Sequence, residues 1–256
     1  MRRRIAILAA LLGLAGCAST PPPPSPPSPT PSPTAAAIAA GQDVTFPATD
    51  GVVLHGRVLG AGTTTVILSN MGDNDPAPWN TFAPLLAAKG YRVLTYSFRY
   101  PLRTNAFVPA FAEGTVPDLL GAVAYARSAG ATRIVLCGAS LGGITVGKVG
   151  ARAGAAAVVI ISAEQDLSDY GLVVSPAELA ALTVPKLFIA SQGDTNTPYA
   201  LTKQFYDNAP EPKQLHTYPG GVHGVGLFDT ADGDDLRSRL LGFLQVQVGD
   251  PSVRNG

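Results

Sequence analysis

Cysteine is almost missing from this chain: 256 residues contain two, Cys17 and Cys137. A single pair builds no disulfide framework. Histidine is nearly as scarce, with only His55, His216 and His223. Their positions show no ligand spacing, so no metal is implied. Charge is also sparse, at 14% of residues, and lysine is the scarcer of the two basic types. The formal net charge is zero, with 18 basic and 18 acidic residues. Phosphate binding needs clustered Lys and Arg, so nucleic acid is not an expected partner. Phosphate loops and dinucleotide fingerprints are missing too: "GASLGG" lacks the Lys-Ser/Thr of the first and the glycine order of the second. No cofactor is implied.

What is present begins with "MRRRIAILAALLGLAGCAST". Three arginines precede an apolar run from Ile5 to Leu14. Such a charged and then apolar opening reads as a secretory signal. The run is too short to span a hydrocarbon core, which takes about 20 residues as a helix. The ending "LAGC" resembles the bacterial lipobox, which implies cleavage before Cys17 and lipid attachment to it. That resemblance implies a chain held at a membrane of the bacterial cell envelope, outside the cytoplasm. Removing residues 1–16 leaves 15 basic residues against 18 acidic ones.

Residues 17–40 form the expected tether. In "TPPPPSPPSPTPSPT" nine of 15 residues are Pro and the rest Ser or Thr. Such a stretch cannot build a core and favours polyproline II at about 3.1 Å per residue. It would act as a semi-stiff spacer of roughly 45 Å.

Residues 41–250 read as one domain, with 251–256 as a tail. Two strands, "QDVTFPA" and "VVLHGRVLG", form an antiparallel opening. Strands then alternate with helices. "TTTVILSN" is a short, apolar, β-branched run, as expected of a strand buried on both faces, and "YRVLTYSF", "ATRIVLCG", "AAAVVIIS", "PKLFIAS" and "KQLHTYPG" read as further strands. "NTFAPLLAAKG", "TVPDLLGAVAYARSAG", "LGGITVGKVGARAG", "PYALTKQFYDNA" and "DGDDLRSRLLGFLQVQV" have helical spacing. Repeated βα units imply a mostly parallel, twisted sheet with helices on both faces. Cys137 falls inside a strand and reads as a buried, inert thiol.

Sheets of this kind place their sites at the carboxyl ends of strands. Ser140 follows "IVLCG", Asp194 follows "LFIAS", and His223 follows "HTYPG". A serine before a helix is commonly an N-cap, so position alone does not make Ser140 a nucleophile. "GASLG", with Ser140 between Gly138 and Gly142, fits the G-x-S-x-G elbow. The order Ser, Asp, His resembles the α/β-hydrolase fold family, across residues 43 to 248. That resemblance implies a serine hydrolase with Ser140 as nucleophile, His223 as base and Asp194 as the acid that orients it. Some relatives take the acid from the earlier strand, which makes Asp166 and Asp169 rivals. His55 comes too early in the family order, and the direction of His216 is fixed by its strand.

The helix that begins at Leu141 makes the Leu141 N–H the first expected oxyanion donor. The second should come from "SNMGDNDPAPW". Many relatives carry His-Gly there; here Asn70 and Met71 occupy those positions, and Met71 or Gly72 is left as donor. "SFRY" resembles the family's strand-end arginine segment, and Arg99 reads as structural. Residues 163–184 are too few for a large cap, with one short helix at "SPAELAAL", so a minimal cap is expected. Phe107 and Phe111 offer an apolar rim or ordinary loop packing. The implied substrate is a small acyl or aryl ester. A peptidase, a thioesterase or a non-catalytic tethered binding domain on the same fold are the alternatives.

Overall fold

The computed structural model describes residues 41–99 and 109–249. The signal, the tether with Cys17, Phe107 and the tail lie outside the described residues.

Among the described residues, ten strands and six α-helices follow in chain order: β1 Gln42–Pro47, β2 Val53–Leu59, β3 Thr64–Ser69, α1 Ala83–Ala88, β4 Arg92–Tyr96, α2 Pro109–Ser128, β5 Arg133–Ala139, α3 Leu141–Val149, β6 Ala157–Ile161, β7 Asp166–Leu167, β8 Leu172–Val173, α4 Pro176–Ala181, β9 Lys186–Ser191, α5 Tyr199–Asn208, β10 Lys213–Tyr218 and α6 Gly233–Val248. Eight strands form one sheet in the order β1-β2-β4-β3-β5-β6-β9-β10. β1 pairs antiparallel with β2, and β2 with β4; the remaining pairs are parallel.

The central strands alternate between two separate cores. Ile67, Leu94, Leu136, Ile160 and Phe188 face the core that takes in α2, α3 and α5. Val66, Val93, Val135, Val159 and Leu187 face the other, with α1 and α6. Burial on both faces explains why these strands read as continuous apolar runs rather than alternating ones. Cys137 is buried in the second core, and burial pushes its thiol pKa up.

Three details differ from the sequence expectation. α2 begins at Pro109, ahead of the expected "TVP" start, and holds Pro117 in its interior. Buried Phe111 and Ala112 anchor the additional turns. Phe111 meets Phe98 edge-on at 6.2 Å and packs into the core from α2, so it is neither a loop residue nor a rim. α3 stops at Val149 instead of running on to Gly154. Between β6 and β9 the chain forms a small β7–β8 hairpin as well as the expected short helix, α4. α4 carries a complete capping box between Ser175 and Glu178.

The topology directs attention to one edge. β3 lies between β4 and β5, so the chain winds away from β3 in both directions. The loops after β3 and β5 therefore part at this point, which opens a crevice at their carboxyl ends.

Candidate active site

Ser140 occupies the turn between β5 and α3 with φ 51° and ψ −119°. Positive φ is strained for a residue with a Cβ, and such strain persists only where surrounding structure holds it. Here the Ser140 N–H donates to Ile161 O at 2.8 Å, while its carbonyl accepts from Gly143 N and Ile144 N. The hydroxyl makes no capping hydrogen bond. The N-cap explanation of this serine therefore fails on geometry. The flanking glycines answer to crowding. A Cβ on Gly142 would sit 2.5 Å from both the Ser69 and Asn70 carbonyl oxygens, and one on Gly138 would overlap the Gly142 backbone.

Asp194 lies beyond the end of β9, and its side chain is 1% exposed. Its two oxygens divide two tasks. Oδ1 accepts from the N–H groups of Asn196 and Thr197, at 2.9 and 3.1 Å, which closes the "DTNT" turn. Oδ2 faces His223 Nδ1 at 2.8 Å. An ionised carboxylate only accepts, so a hydrogen bond at this contact takes its proton from Nδ1. The loop that carries His223 is fixed to β9 and its turn. Gly193 N donates to Gly220 O at 2.9 Å, and Ser191 Oγ donates to Val222 O. Gly224, at φ 58°, is where this loop passes Met71; a Cβ there would overlap the Met71 sulfur.

Ser140 and His223 line one cavity of about 380 Å³. Gly72, Leu141, Glu164, Asn196 and Thr197 belong to the same wall. Leu141 begins α3, and the first N–H groups of a helix have no acceptor within it. Of the two residues considered for the second donor, Gly72 is on the wall, whereas Met71 packs into the core beside Gly224.

The other candidates fall elsewhere. His55 is on β2, on the wall of a different cavity. His216 is on β10 against the Tyr218 ring, 3.7 Å from Asp235; burial, and then the charge of Arg239, lower its pKa. Asp166 is exposed and accepts from Ser168 N at 2.8 Å, and Asp169 is also exposed. Arg99 holds Asp118 through Nε and Nη2, and Asp50 through both Nη atoms. That forked arrangement makes it a brace between segments.

Sequence motifs point past two features. One is a pair of buried asparagines behind the crevice. Asn70 Nδ2 donates to Tyr96 O at 2.8 Å. Asn74, at φ 60°, accepts from Phe98 N at 2.6 Å and donates to Phe98 O at 3.0 Å. Together they fasten the Asn70–Asn74 loop to the end of β4. Asn is the non-glycine residue best suited to positive φ, which is the one signal the sequence offered. The other feature is Glu164, which lines the cavity but belongs to no motif.

No protein-family model matches the chain, and no curated protein matches it in sequence. Solved structures do match. An esterase of Pyrococcus furiosus superposes with a TM-score of 0.71 at 18% identity, over 88% of this chain and 100% of that one. The esterase domain of a Rhodothermus marinus protein gives 0.63 at 20% identity, over 80% of this chain and 97% of that one. The enol-lactonase of Burkholderia xenovorans LB400 gives 0.62 at 16% identity, over 78% and 99%. With its eight-stranded, mostly parallel sheet covered by helices on both faces, the chain has the α/β-hydrolase fold.

Proposed function

We propose that this chain is a serine hydrolase of small carboxylic esters, working through Ser140, His223 and Asp194. One observation carries the reading: a strained serine with no capping bond shares a cavity with a histidine whose Nδ1 is held by a buried carboxylate. A serine hydroxyl is a weak nucleophile without a base, and this arrangement provides one. Esterases among the solved structures of the same fold agree with it.

In the proposed reaction, Ser140 Oγ attacks the ester carbonyl carbon as its proton passes to His223 Nε2. Asp194 stabilises the imidazolium and keeps the ring in position. The carbonyl oxygen becomes an oxyanion held by the Leu141 N–H and by a backbone N–H of the Met71–Gly72 segment. Collapse breaks the bond to the alcohol oxygen, which takes the proton from His223. Water then attacks the acyl-enzyme by the same route, which releases the acid and restores Ser140.

Hydrolysis of a panel of nitrophenyl esters, by the parent protein and Ser140→Ala, tests the proposal. Loss of turnover by a factor on the scale of 10⁶ is expected. Hydrolysis by Ser140→Ala at the parent's rate would refute it. The same panel extended to thioesters and anilides tests the preference for oxygen esters.

We also propose that the domain is anchored to an envelope membrane through lipidated Cys17, which the Arg2–Arg4 cluster, the apolar run and "LAGC" support. Membrane partitioning of a Cys17→Ala protein would count against this.

A further inference from the structure

Glu164 follows β6, on the wall of the Ser140 cavity, and it is also on the wall of a second cavity of about 280 Å³. It thus stands where the two adjoin. The residue is half-buried; burial first, and the carboxylate of Asp166 second, raise its pKa. No Lys or Arg is found on the wall of either cavity among the described residues. Asp166 adds a second carboxylate to the neighbouring cavity, with the amides of Gln204 and Asn208 beside it. Two other acidic groups that leave solvent are paired with cations. Asp118 has Arg99, and Glu178 has Lys148. A half-buried carboxylate without a cation is costly to keep, and a ligand that brings a positive charge relieves that cost.

We propose that the second cavity extends the Ser140 site, and that Glu164 selects substrates whose far end carries a positive charge over those whose far end is anionic. This rests on the hydrolase reading above and deepens it. Glu164 is a specificity residue here: it touches the distant part of the substrate and takes no part in proton transfer. A substrate ammonium meets Glu164 and Asp166, whereas a substrate carboxylate meets two like charges and no counter-charge.

The test uses three nitrophenyl esters of matched length, whose acyl chains end in trimethylammonium, tert-butyl or carboxylate. For each, kcat/KM is divided by the rate of hydroxide hydrolysis to remove intrinsic reactivity. The parent is expected to prefer the cationic ester to the anionic one. Glu164→Gln should shrink that ratio about a hundredfold, about tenfold from each charged ester, which corresponds to one unit charge at roughly 6 Å in a dielectric of about 40. Glu164→Lys should invert it. Asp169→Asn, which removes an exposed charge that lines neither cavity, should leave the ratio where it was. A ratio unmoved by Glu164→Gln, or moved equally by Asp169→Asn, overturns the proposal while leaving the hydrolase reading intact. Neutral ester hydrolysis by Ser140→Ala at the parent's rate overturns the hydrolase reading, and the selectivity proposal with it.

Discussion

Asp194 holds His223 with one oxygen and its own turn with the other. A loop aspartate that only caps a turn and an aspartate that orients a histidine are usually alternatives. In this chain one buried carboxylate does both, so its substitutions should separate the two tasks.

Asp194→Asn keeps a side-chain oxygen for the turn but offers an amide that can donate to His223. The ring is then free to adopt the wrong tautomer. Turnover is expected to fall about 10⁴-fold with little change in Tm. Asp194→Ala should lose as much activity and also about 1–3 kcal/mol of stability, because the Asn196 and Thr197 N–H groups lose their acceptor. Kinetics and thermal melts on both variants check this.

The strained turn predicts a difference between two inactive proteins. Ser140→Gly and Ser140→Ala both remove the proposed nucleophile, but only glycine accepts φ 51° without strain. Ser140→Gly should be the more stable by about 1 kcal/mol, since relief of strain exceeds the added freedom of the unfolded chain. Paired denaturant titrations measure the gap.

The loop that carries the proposed second oxyanion donor is held by Asn74. Asn74→Ala leaves Phe98 N without its side-chain acceptor and should cost about 1–3 kcal/mol. If that loop presets an N–H for the transition state, kcat should fall more than KM rises. Chemical denaturation and steady-state kinetics on the same preparation report both effects.

The short cap helix carries a pH dependence. Burial opposes ionisation of Glu178, but hydrogen bonds from Ser175 N and Lys148 outweigh it and hold the carboxyl below its usual value. A depressed carboxylate stabilises the fold above its unfolded pKa, and the contribution is lost as pH falls through the folded value. Glu178→Gln should therefore melt below the parent near neutrality. The gap in Tm should close as pH falls from about 5 toward 3.

The sheet was legible because its central strands are buried on both faces and so leave continuous apolar runs between glycine and proline punctuation. Ser140 and Asp194 were legible because each follows such a run; His223 follows β10, a partly exposed edge strand, and was legible from its glycine-flanked loop and its place after them in the chain. The second oxyanion donor was not, because a backbone N–H leaves no mark on side-chain identity. The early start of α2 escaped notice because Pro117 reads as a first-turn residue when it in fact lies inside the helix. The β7–β8 hairpin has two-residue strands, too short for any alternation to appear. Glu164 went unseen because its role depends on which cavities it borders, and no local pattern records that.

The central claim is that Ser140 is a nucleophile activated by His223. Reaction with a fluorophosphonate followed by peptide mass mapping tests it most directly. The account predicts one covalent adduct, on Ser140, absent from Ser140→Ala and formed far more slowly in His223→Ala. A folded parent protein that takes no adduct, or an adduct that persists in Ser140→Ala, would contradict it.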